Sequence, residues 1–233
     1  VIENGRTIAV NYRPGAGGNF VQNCLGLSRH CVLRDRKYAE WQLTATVDEN
    51  FYQQKLAWAI ETIQPGVIDA GWLGYELGAN TFIGFIFSDS LKTTDTDIPK
   101  VLHQAAQQNL WVTHTAHNHG WTEHLTRYWP QVRYINVHGD TWAQRWMNVK
   151  NPGLPGPNGY PVTDPQGRVV NEDWEPSPVA YDFDIDAVIN SESDFLQAMR
   201  TLYEWLEWDD FDQAPVAEYY RAYKQAHDQQ QNL

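Results

Sequence analysis

Residues 7–28 read TIAVNYRPGAGGNFVQNCLGLS, a pattern with few structural solutions. Ile8, Val10 and Tyr12 alternate as a short β strand does, Arg13 to Asn19 breaks the alternation, and Phe20, Val21, Cys24, Leu25 and Leu27 resume at helical spacing. The stretch is a strand, a glycine turn and a helix. Gly15, Gly17 and Gly18 strip Cβ atoms from most of the turn, so backbone N–H groups and the positive end of the helix can close on an anion such as a phosphate. Pro-Gly turns also join strands to helices in proteins that bind nothing there, and both readings stand at this point.

The turn also argues against two common nucleotide sites. A Walker loop needs Gly-Lys-Ser/Thr, whereas the first lysine of this chain is Lys37. A dinucleotide fingerprint finds its first half in Gly15-Ala16-Gly17 and a ribose carboxylate in Asp35, but its third glycine position holds Phe20. A bulky ring there opposes close packing of helix on strand.

A length of 233 residues suits one α/β domain spanning 1–233, and 11 Trp, 12 Tyr and 8 Phe supply ample apolar surface for its core. With 29 acidic against 17 basic residues, a net charge of −12 argues against nucleic acid and against an anionic membrane as partners. Cys24 and Cys31 form no metal or redox motif and read as packing thiols of a reducing, cytoplasmic compartment. No apolar stretch reaches the length of a membrane span.

Further along, Cys31 to Asp35 reads as a short strand or a solvated turn, and Asp48 to Ile63 as a helix capped by Asp48. Thr81 to Phe87 is apolar on both faces, as an interior strand is. A helix over Asp97 to Gln108 precedes a strand, Leu110 to His114. A helix over Trp121 to Trp129 precedes another, Val132 to Val137, which runs into His138 and a helix from Thr141 to about Lys150. Asn151 to Ala180 holds seven of the 12 prolines and four glycines, which predicts an irregular lid or surface excursion. The chain closes with a short acidic segment, Asp182 to Asp186, and a helix over Ser191 to Leu206 with Ser191 as cap and Phe195, Met199, Leu202 and Leu206 inward. A last helix from Pro215 to about Gln225 leads into a frayed Gln229-Gln230-Gln231.

Strands alternating with helices predict an α/β three-layer sandwich with a mostly parallel central sheet. Ligands of such sheets bind at the carboxyl ends of the strands, where Tyr12 with its glycine turn, His114 and His138 are expected.

This order of features resembles the sulfotransferases that use 3'-phosphoadenosine 5'-phosphosulfate, a P-loop-like fold. Their loop of the form Pro-Lys-Ser-Gly-Thr-Thr-Trp is similar to Pro14-Gly15-Ala16-Gly17-Gly18-Asn19-Phe20. Their Lys-Thr-His strand end is similar to Val112-Thr113-His114, and their Arg-Asp-Pro strand end to His138-Gly139-Asp140 before the helix carrying Arg145. The resemblance spans most of the chain. It implies that Gly15, Ala16, Gly17, Gly18, Asn19 and Phe20 hold the 5'-phosphosulfate, that His138 and Arg145 hold the 3'-phosphate, and that His114 is the base. The loop lysine of the family falls on Gly15, so Arg13 is left to offset charge on the leaving phosphate, and Asn19 to replace a hydroxyl donor.

The implied chemistry moves a sulfuryl group to a hydroxyl or amine of a small-molecule or carbohydrate acceptor. His114 takes the acceptor's proton and backbone donors stabilise the phosphosulfate, with no metal expected. Without the lysine, a catalytically inactive nucleotide-binding protein on the same fold is the alternative. A third reading is a metal-dependent hydrolase built on His114, His117, His119 and His124, whose His-x-His spacing after a strand suits zinc.

Overall fold

Arg6–Tyr12 form β1, and every residue after Arg6 in it is buried, as expected of a strand with neighbours on both edges and covered faces. The computed structural model describes residues 4–12, 16–32, 50–61, 63, 103–116, 131–139, 141 and 179–231. Within them, β1 lies between β2 (Trp111–Ala116) and β3 (Gln131–His138), and β4 (Tyr181–Asp184) adds to β3. All three pairings are parallel, in the order β2-β1-β3-β4, so the chain is an α/β protein with a parallel sheet.

Register decides which side chains share a face. Val10 pairs with Ile135, Tyr12 with Val137, and Val137 with Phe183, so these apolar residues stand on one side of the sheet. That side carries α1 (Gly18–Gly26), α4 (Glu192–Trp205) and α5 (Gln213–Gln231), with α2 (Phe51–Glu61) packed against α1 and α5. The short helix α3 (Ile185–Val188) links β4 to α4. Phe20 is the hub of this core: its ring stacks on Phe195 at 4.9 Å and on Tyr223 at 4.0 Å between centroids, with Tyr219 at 5.3 Å. Thr7, Ala9, Asn11 and Asn136, on the other side of the sheet, are equally buried.

Local chemistry sets where the helices stop. Ser191 caps α4 by accepting from the Asp194 N–H, and Asp184 caps α3 by accepting from that of Ala187. At the far end of α4, Glu207 takes a left-handed φ of 62°, and the N–H groups of Glu207 and Trp208 return to the carbonyls of Glu204 and Tyr203. The same device ends a helical run at 103–107: Asn109 has φ 56° and the Leu110 N–H reaches Ala105 O, which delivers the chain into β2. Lys55 is fully buried, and its Nζ donates to the carbonyls of Ser28 and Cys31 in the turn after α1.

Several expected elements shift. β2 does not stop at His114: Thr115 and Ala116 still pair with Val10 and Asn11. The acidic segment at 182 is a parallel strand, because Phe183 alternates inward between Asp182 and Asp184. Cys31 makes a single parallel bridge to Trp111 rather than a full strand within the described residues. α5 begins at Gln213, runs past Gln225 and takes in Gln229-Gln230-Gln231, which were expected to fray. Asp48, the strand at Thr81 to Phe87, the helix at Trp121 to Trp129, the bulk of the helix after Thr141 and the irregular segment up to 178 lie outside the described residues. Cys24 and Cys31 are buried free thiols. Among the described residues no helix is long and apolar enough to cross a membrane.

Candidate functional site

The carboxyl end of β1 leads to the glycine turn. Gly17 sits at the N-cap of α1 with φ 78° and ψ 17°, a left-handed conformation that glycine adopts without strain. Among the described residues no side chain caps α1, and no acid lies in its first turn. The dipole of α1 is therefore not balanced by a carboxylate of its own first turn. Ala16 to Asn19 are all buried, so an anion held there would be shielded from solvent. Gly18 has a packing role of its own, since its α-carbon lies against the Tyr12 ring.

The turn after β3 meets this one. Tyr12 pairs with Val137, so His138 stands one residue beyond the end of β1. A Cβ on Gly139 would fall 3.1 Å from Ala16 O and 2.4 Å from Ile185 Cγ2, so only glycine lets the two turns touch. His138 Nε2 lies 2.9 Å from Asp182 Oδ1, the same oxygen that accepts from Asn136 Nδ2 at 3.0 Å. Asn11 Nδ2 in turn donates to Asn136 Oδ1 at 3.4 Å. These bonds from His138 and Asn136 hold the Asp182 carboxyl below its usual range.

Thus Ala16, Gly17, Gly18 and Asn19 come together with the β3 terminus that carries His138. Phe20 is instead a core residue, stacked among aromatic rings behind the turn. His114 is in the strand on the other flank of β1, but its backbone pairs with Ala9, three residues before the end of β1. Since the strand continues to Ala116, His114 is not at the rim, and its Cα is set back from the level of His138 by about 13 Å at ~3.3 Å per residue. Arg13, Gly15 and Arg145 lie outside the described residues, as do His117, His119 and His124.

Sequence reading missed the row Asn11, Asn136 and Asp182. Its signal was present: IAVNY and YINVH each place one asparagine near the end of an otherwise apolar strand. Among the described residues, the side chains close enough to share a metal ion are those of His30, Asp209 and Asp210, near the amino end of β2. Their carboxylates already have donors. Asp209 binds the Arg29 guanidinium and the His30 ring, which hold it down to about 2, and Asp210 accepts from Ser28 Oγ and the Arg29 N–H. Comparison with protein-family models, with curated proteins and with solved structures gives no match.

Proposed function

We propose that this chain is a sulfotransferase-like protein, a three-layer α/β domain that takes 3'-phosphoadenosine 5'-phosphosulfate at the carboxyl end of its sheet. It passes the sulfuryl group to a hydroxyl or amine of a small-molecule or carbohydrate acceptor. The observation that carries this reading is the start of α1: a left-handed glycine at the N-cap and no acid in the first turn, directly after a parallel strand inside the sheet. A phosphosulfate fits such a terminus because its negative charge is favoured at the positive end of a helix. In an acidic chain, local donors of this kind are what holds an anion.

A second reading, a nucleotide-binding protein without transfer activity, is favoured by one observation: the backbone of His114 stands two residues inside the end of β2. The family's proton acceptor would then be away from the reacting group. Thermal unfolding with adenosine 3',5'-bisphosphate tests what the two readings share. A ligand at 100 times its Kd stabilises a fold by about 2.7 kcal/mol, so the midpoint should rise by several degrees at millimolar bisphosphate. An unmoved midpoint overturns both. Transfer of radiolabelled sulfate to a panel of sugars and phenols separates them.

A further inference from the structure

We draw no further inference here: the strongest candidate, the side-chain cluster of His30, Asp209 and Asp210 near the amino end of β2, is an acidic cluster whose carboxylates Ser28 and Arg29 already hold, and nothing else among the described residues points to a cation there.

Discussion

Gly18 lies beneath the ring of Tyr12: a Cβ on Gly18 would stand 2.0 Å from Tyr12 Cδ1 and 2.4 Å from Cε1. Tyr12 is fully buried at the end of β1, so its ring has nowhere to retreat. Gly18→Ala should therefore destabilise the fold by about 3 kcal/mol, the upper range for overpacking a core. That corresponds to a melting point lower by roughly 6–12 °C for a chain of this size. Tyr12→Leu in the same chain should recover part of the loss, a coupling of about 1 kcal/mol or more for residues in direct contact. Additive effects of the two changes in a thermal melt would show that the contact is not the cause.

Gly17 answers to a different constraint, its φ of 78°. Alanine there should cost about 1 kcal/mol, and asparagine less, because a short amide side chain tolerates the left-handed region. The two polar substitutions separate structure from binding. Gly17→Asn should keep the stabilisation by adenosine 3',5'-bisphosphate, whereas Gly17→Asp puts a negative charge at the start of α1 and should abolish it. Equal shifts in the two variants, read by calorimetry, would place the anion elsewhere.

What the sequence revealed and what it hid divides along the reach of the forces involved. Ser191 capping α4, with Phe195, Met199, Leu202 and Leu206 inward, was legible because caps and helical periodicity act within a few residues. So was the strand, turn and helix at 7–28. Phe20 was assigned to a ligand because it falls on the aromatic of a family motif, while the rings that enclose it, Phe195, Tyr219 and Tyr223, lie far along the chain. β4 was missed since Tyr181-Asp182-Phe183-Asp184 is four residues long with one wetted face, which reads equally as an acidic turn. The row through Asn11, Asn136 and Asp182 exists only once three strands are in register, and no single segment carries it.

Glu207 offers a stability gain. It occupies the left-handed position after α4, where glycine is the favoured residue, and its carboxylate pairs with Arg133 Nη2 at 3.1 Å while remaining 81% exposed. An ion pair so exposed contributes about 0–1 kcal/mol, less than or equal to the ~1 kcal/mol of backbone strain that glycine would relieve. Glu207→Gly should thus raise stability by about 0.5 kcal/mol, with the gain largest at high salt, where the ion pair is screened. A denaturant midpoint that falls in 1 M salt would show that the strain is not there.

Lys55 should make stability depend on pH. Burial drives its ammonium down to about 8 from an ordinary 10.5. Below pH 8 the side chain is charged in both folded and unfolded states, and the folded state carries the whole cost of burying that charge. Between 8 and 10.5 the folded protein releases the proton while the unfolded chain keeps it. The unfolded state then binds more protons, so stability rises with pH. The neutral amine still has two hydrogens for the carbonyls of Ser28 and Cys31, so deprotonation sacrifices neither bond. Cys31 and Cys24 work in the opposite sense: burial pushes the Cys31 thiol from 9 up to about 12 and that of Cys24 well up too, so as pH approaches 9 the unfolded thiols ionise first and offset part of the gain. The comparison with Lys55→Met isolates the lysine: between pH 7.5 and 9 the wild type should gain about 1 kcal/mol relative to that variant. Lys55→Met should lose ~1–3 kcal/mol by taking the donor from the Cys31 carbonyl, since that of Ser28 still accepts from the Cys31 N–H, and its stability should not rise across the same window. Urea midpoints at pH 7.5 and 9 check both, and an identical rise in the two proteins would assign the pH dependence to another group.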